Sequence, residues 1–433
     1  MKSLLKGAAL FVAVACLVWI IVLWRWRATQ RDMDAGDIVL YLAILPIVVF
    51  GLVLAARWAV RGALEKQAGK AAGVSAPGAA GASASAAKAG DARPSLSWHL
   101  LGAWVHTAGG ANIDELLAAI EAGAPRPRPD SALHDDDGLP VMTARIAELD
   151  ADGVAPAADS ARIVRVLAAW PADWDDATCA GAQAWLAERL CDPLADVLPL
   201  ARWTIRSQRM SGTELLSAAE RTLDVLQRQG RDDPVVLMAC HSDLDAAGIR
   251  RLESGQRLFH SARRPKAAMA GEGAAVLVLS ALDWPADAAI DTERVRFNSP
   301  AIVRRAESIE AAGRTSSDDV VRLVDHGLAS AGLAGSTVAK LASDADQHTA
   351  RATELFAVTL ALLPDLDANE DLRLAGTIAG RLEAVAPLLT LAVAAVQARE
   401  SGQPTVALSL ADPHWRMAAV LRPASFKNEP QPA

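Results

Sequence analysis

At 433 residues, with 52% apolar and 22% charged side chains, the chain has material for sizeable hydrophobic cores and lies outside the compositions of disordered or collagen-like sequences. Its net charge of −8 is unevenly spread: residues 1–70 carry nine basic and four acidic groups, a net of +5, which leaves about −13 for the remainder. That acidic remainder argues against nucleic-acid binding, where phosphate contacts need clustered Lys and Arg.

Two uncharged apolar runs, 7–24 and 38–56, each reach the ~18–20 residues a helix needs to cross hydrocarbon. They predict a transmembrane hairpin within residues 1–66, with spans of about 4–24 and 38–58. A cleaved signal peptide would show a shorter core and a small-residue cleavage site, whereas Trp24-Arg25-Trp26-Arg27 and a second span follow here. Basic flanks stay on the cytoplasmic side. Six of them (Lys2, Lys6, Arg57, Arg61, Lys66, Lys70) outweigh Arg25, Arg27 and Arg31 of the connecting loop, so both termini and the large following part are expected in the cytoplasm. Trp24, Trp26 and Tyr41 would mark the far interface and Trp58 the near one. Residues 67–95, almost wholly Ala, Gly and Ser, read as a flexible linker with a reach of roughly 30 Å.

Beyond the linker, apolar runs alternate with amphipathic segments. Residues 100–105 predict a strand and 112–122 a helix with Ile113, Leu116, Leu117 and Ile120 on one face. Residues 161–169 are again apolar, and 177–189 read as a helix. Ser211 with Glu214 three residues on has capping-box spacing, predicting a helix over 211–229. Buried strands follow at 235–239 and 275–279, helices at 317–331, 346–363 and 381–399, and a closing strand pair at 405–410 and 417–421. Strands alternating with helices imply an α/β sheet with helices on its faces.

Several residues invite chemical readings. Cys240-His241-Ser242-Asp243 has the composition of a nucleophilic set, but adjacent strand residues face opposite sides, so Cys240 and His241 cannot readily pair. Ser211 lacks a G-x-S-x-G elbow and fits an N-cap. His134-Asp135-Asp136-Asp137, followed by Gly138-Leu139-Pro140, fits a solvated turn better than an oxygen-ligand metal site. His99 and His106 read as structural, and Arg263-Arg264-Pro265-Lys266 as a solvated loop. The four cysteines (Cys16, Cys179, Cys191, Cys240) follow neither a zinc spacing nor a disulfide framework. No phosphate-binding glycine signature occurs. No metal and no cofactor is therefore expected. The soluble tryptophans, Trp170, Trp174 and Trp284 among them, are expected to pack in the core or at strand ends.

The order of motifs resembles the ketosynthase branch of the thiolase-like superfamily. It runs from the strand and glycine turn of 100–110, through the strand of 235–239 and the basic, phenylalanine-containing loop of 254–265, to Gly271-Glu272-Gly273-Ala274 and the strand behind it. Gly380-Arg381-Leu382-Glu383-Ala384 is similar to the Gly-His-Leu-Glu-Ala segment of that family. The resemblance implies a layered fold of two similar αβ halves, 96–290 and 291–423, before a disordered tail at 424–433. It also implies a cysteine and two histidines, and these are missing. The nucleophile elbow falls at about Met210 to Thr213, the first histidine near Ser343 and the second at Arg381; Leu410-Ala411-Asp412-Pro413-His414-Trp415-Arg416 replaces the late glycine-rich turn. A pseudoenzyme without catalytic residues is the expectation.

Membrane hairpin, tether and emptied thiolase-like part together resemble the adaptors that accompany lipase effectors of bacterial type VI secretion. That resemblance implies a non-catalytic inner-membrane protein that binds a phospholipase-type effector or a secretion-spike component. The alternative is an inactive ketosynthase-like partner subunit in fatty-acid or polyketide synthesis. A homodimer is compatible with either.

Overall fold

The computed structural model describes residues 97–146, 162–195, 201–231, 233–281, 294–310 and 316–426. The two expected membrane spans (4–24 and 38–58), the 67–95 linker, Trp284 and the tail from 427 lie outside them. Among the described residues, no helix is long and apolar enough to cross a membrane.

Thirteen strands join in one hydrogen-bonded sheet system that contains the same pattern twice. The first half comprises β1 (Ser97–Thr107), β4 (Arg162–Trp170), β5 (Ala201–Arg209), β6 (Val235–Ser242) and β7 (Ala270–Ser280). Across the sheet they run β5-β4-β6-β7-β1, that is third, second, fourth, fifth, first in chain order. The second half uses β8 (Val295–Asn298), β10 (Lys340–Ser343), β11 (Leu372–Leu374), β12 (Thr405–Ser409) and β13 (Trp415–Pro423). Their order, β11-β10-β12-β13-β8, is again third, second, fourth, fifth, first. In each half the fifth strand alone is antiparallel to its neighbours. The two first strands, β1 and β8, pair antiparallel and fuse the halves, with Trp98 opposite Phe297. A hairpin of β2 (Arg128–His134) and β3 (Pro140–Ala144) attaches to the start of β7, and β9 (Ala301–Arg304) to β13.

Helices fill the layers. The described helices are α1 (Ile113–Ala122), α2 (Asp176–Ala195), α3 (Gly212–Arg228), α4 (Ala246–Ser254), α5 (Asp318–Ala331), α6 (Thr349–Leu362), α7 (Gly376–Ala379) and α8 (Ala386–Ser401). Every residue from Ala386 to Ala398 is buried, because α8, apolar there but for Thr390 and Gln397, lies against β10, β12 and β13 of one half and β1 and β7 of the other. Each large side chain there, Leu388, Leu389 and Leu391 among them, contributes roughly 2 kcal/mol by leaving water. α3 shares this central layer, against β4, β6 and α8. Its start is fixed by the capping box: the Ser211 hydroxyl accepts from the Glu214 N–H, and the Glu214 carboxylate accepts from the Ser211 N–H at 2.8 Å. α5 and α6 cover the outer face of the second half, and α2 covers that of the first, where Trp170, Leu186 and Met238 meet.

One local expectation changes. Gly271 to Ala274 reads in the sequence as a turn before a core strand, but β7 already begins at Ala270 and pairs Glu272 with Ser242 and Gly273 with His241. The two glycines sit in a buried strand because a neighbouring chain segment lies on them. A Cβ on Gly271 would stand 2.5 Å from the Ala379 carbonyl oxygen, and one on Gly273 would crowd Leu382.

Candidate functional site

A strand-to-helix junction lies at 210–213, where the resemblance expects the elbow. β5 ends at Arg209, Ser211 caps α3, and Gly212 opens the helix. Gly212 is packed so closely that a Cβ would meet the Ala384 carbonyl and come within 2.8 Å of Pro387 Cδ. The start of α8 is therefore seated on the start of α3. Ser211 Oγ is 3.1 Å from Thr213 Oγ1 and 3.0 Å from the Glu214 carboxylate, so its hydroxyl serves the cap, and among the described residues no histidine hydrogen-bonds to it.

The turn that leads into α7 reaches Ser343, where the resemblance expects the first histidine. Ser343, fully buried at the end of β10, accepts the Ala375 N–H on its carbonyl at 2.9 Å and the Ala345 N–H on its hydroxyl at 3.1 Å. Next to it, the buried Asp344 carboxylate accepts the N–H groups of Leu410 (2.6 Å) and Ala411 (3.0 Å) and the Ser409 hydroxyl. Burial pushes this carboxyl up, and the hydrogen bonds from Leu410 and Ser409 offset part of the rise. Asp344 thus anchors the segment that stands in place of a glycine-rich turn. Arg416 holds the far end of that segment: its guanidinium donates to Glu354 at 2.8 Å and to the carbonyls of Asp412 (2.5 Å) and Trp415 (2.7 Å), and Arg305 grips Glu354 from the other side.

Arg381, where the resemblance expects the second histidine, is tied down at both ends. Its N–H donates to the Met269 carbonyl at 3.0 Å, and its guanidinium donates to Asp243 Oδ2 at 3.0 Å and pairs with Glu383. Asp243 is the hub of a buried charge cluster, with His241 Nε2 at 3.0 Å and Arg251 Nη2 at 3.0 Å as further partners. Burial alone would raise the Asp243 carboxyl, but His241, Arg381 and Arg251 together hold it well below the usual carboxylate range. The cluster couples β6 and α4 of the first half to the loop before α8.

The nucleophilic reading of Cys240 fails on geometry. Cys240 lies in the outer core with Met238 and Trp170, whereas Val235, Leu237 and Ala239 face the central layer, and burial pushes its thiol up, away from the thiolate. His241 and Asp243, two residues apart, were the informative pair; alternation along the strand puts them on one side. Glu272 accepts the Ile146 N–H at 2.8 Å and faces the Ser242 hydroxyl at 3.4 Å, tying β3 to β6.

The remaining sequence candidates are structural. Asp135 shapes the hairpin turn, its carboxylate accepting the Asp137 and Leu139 N–H groups at 3.0 and 2.9 Å. Ligand atoms of Asp135, Asp137 and His260 lie within 4.8 Å of one another. They suit a metal poorly, because His260 Nδ1 accepts the Ala262 and Arg263 N–H groups, which leaves the ring proton on Nε2. The basic loop is compensated within the chain: Arg263 pairs with Asp137, Arg264 with Glu253 and Arg257 with Glu310. His99 and His106 are buried on β1, and His106 packs 5.9 Å from the rings of Trp104 and Trp185. Trp170 is core and stacks on Trp174.

Away from the elbow, the first half ends in an edge strand. Among the described residues, β5 pairs only with β4, and Arg206 to Arg209 are exposed. Beside it runs a cleft of about 680 Å³ lined by Arg206, Gln208, Met210, Arg221 and the half-exposed Val225.

No family model matches this chain, and no curated protein matches it. Solved structures do. The ishigamide ketosynthase/chain length factor aligns over 76% of this chain and 99% of its own, with 15% identity and a TM-score of 0.50. The ketosynthase from module 6 of the bacillaene synthase of Bacillus subtilis 168 aligns over 76% and 72%, with 11% identity and a TM-score of 0.53. A ketosynthase in complex with its chain length factor, from Xenorhabdus doucetiae, aligns over 76% and 98%, with 10% identity and a TM-score of 0.51. At these identities the likeness is one of fold: the chain has the thiolase-like fold of ketosynthase and chain length factor domains.

Proposed function

We propose that this protein is a non-condensing, ketosynthase-like partner subunit, which binds a catalytic ketosynthase in fatty-acid or polyketide assembly and performs no acyl transfer itself. The observation that carries this reading is the occupation of the elbow. Where the fold would present an acyl nucleophile, Ser211 is held in a capping box and α8 is seated on Gly212, while Arg381 is bound to Asp243. Condensation by an activated thiolate has no residues to work with there. The exposed edge of β5 and the adjoining α3 face offer backbone hydrogen bonds and apolar surface for a partner. The test is affinity isolation of the full-length tagged chain from its own cell, with mass spectrometry of what remains bound. A stoichiometric ketosynthase supports the proposal; a stable complex lacking any ketosynthase overturns it.

A second reading is favoured by residues 1–95, whose apolar runs and Ala/Gly/Ser stretch suit a tethered inner-membrane protein facing the cytoplasm. Here the same catalytically silent fold would serve as a docking surface for a lipase-type effector or spike component of type VI secretion, and a tether would raise local concentration at the membrane. Recovery of a lipase in the same isolation selects this reading over the first.

A further inference from the structure

Helix α6 is inside out. Between Thr349 and Pro364 the only charged residues are Arg351 and Glu354, and both point inward, 3% and 0% exposed, while Phe356 and Leu360 point outward at 54% and 65%. A surface helix ordinarily does the reverse. Single exposed apolar residues need no explanation, but two large ones at i and i+4 on a charge-free face form one patch. Nor can the helix roll to hide them. Glu354 is clasped by Arg305 and Arg416, and Arg351 donates to Asp346 at 2.6 Å and to the Ala411 carbonyl at 2.8 Å.

We propose that the outward face of α6 is a twofold contact between two copies of this chain. In an antiparallel crossing centred midway between Phe356 and Leu360 on the outward face, Phe356 meets Leu360 of the second copy, and Leu360 meets its Phe356, so the patch is complementary to itself. Thr353, Ala357 and Ala361, exposed or half-buried around it, are small enough to let the axes approach at the usual 8–10 Å. The ends match as well. Asp365 and Asp367 are exposed just beyond the C-terminus of α6, and the antiparallel crossing carries them over the first turn of the other copy's helix, where His348 Nδ1 accepts the Ala350 N–H and the helix dipole still favours further carboxylates. Asp346, the carboxylate already at that end, is paired with Arg351. A parallel crossing would bring like ends together. A bilayer is the poorer occupant, because an anionic leaflet repels the same two carboxylates. A contact between single helices is smaller than the ~1,600 Å² of standard interfaces, so the dimer is a weak one that depends on concentration. This face lies on the outer layer of the second half, apart from the β5 edge of the first, and both can be engaged at once.

Sedimentation equilibrium of the full chain in detergent micelles tests it. The wild type is expected to pass from monomer to dimer with concentration. Phe356→Glu and Leu360→Glu should each weaken that step at least ~100-fold with unchanged circular dichroism and melting temperature, since both side chains are exposed. A Phe356→Lys chain and a Leu360→Glu chain, each monomeric alone, should associate when mixed. A wild type that stays monomeric, a dimer that survives both glutamate variants, or a lysine–glutamate mixture that fails to associate overturns the proposal.

Discussion

Replacing Asp243 by Asn removes the charge that holds the first half to the loop before α8. The carboxylate is fully buried and contacts His241, Arg251 and Arg381 at 3.0 Å each. The Arg251 side chain is 41% exposed, so solvent screens its share to under ~1 kcal/mol. Arg381, only 9% exposed, is the costly partner: stranding one member of a buried ion pair costs about 3–5 kcal/mol. Because Arg381 keeps Glu383 and Arg251 keeps Asp173, the lower end, about 3 kcal/mol, is expected, a fall of roughly 4–5 °C in melting temperature for a unit of this length. The pH dependence has a definite sign. The folded carboxyl lies below its unfolded value of ~3.9, so its stabilisation is complete above that pH and is lost as pH falls through the lower folded value. The deficit of Asp243→Asn should thus stay constant from about pH 5 to 8 and shrink only in strong acid. Thermal unfolding followed by tryptophan fluorescence, with Arg381→Met and the double variant completing a cycle, gives the coupling directly. A variant melting within about 1 °C of wild type, or a deficit already gone at pH 6, refutes the reasoning.

Three further outcomes are expected. Gly271→Ala should destabilise by about 1–3 kcal/mol, because its Cβ runs into the Ala379 carbonyl. Gly181→Ala, on an exposed stretch of α2 with nothing within 4 Å, should stabilise by up to about 1 kcal/mol; paired melting curves check the opposite signs. Cys240, buried and with its thiol pushed up, should resist iodoacetamide in the folded chain and react only on unfolding, read by peptide mass spectrometry.

Much of this architecture is legible in the residues. The capping box of Ser211 and Glu214, the apolar runs that become β6 and β7, and the 386–398 segment, apolar but for Thr390 and Gln397, each declare their place, because local chemistry and burial agree there. Other parts are not legible. β8 to β11 are only three or four residues long, too short for alternation to register. β2, Arg-Pro-Asp-Ser-Ala-Leu-His, is almost wholly exposed and carries no apolar face. Gly271 and Gly273 argue against a strand by propensity, and only the tertiary approach of 379–382 explains them. Motif order gave only an expectation for the elbow, Ser343 and Arg381. The ties that fix them could not be read that way, since Asp243 and Arg381 are 138 residues apart, and Asp344 reaches Leu410 across 66.

The central claim, a ketosynthase fold that has given up acyl transfer to act as a partner, is tested most directly by intact-mass spectrometry of the full chain after incubation with an acyl thioester, alone and with its co-purified partner. The account predicts no acyl adduct on this chain in either case, and an adduct on the partner's cysteine. A stoichiometric acyl adduct on Ser211, Cys240 or any other residue of this chain would contradict it.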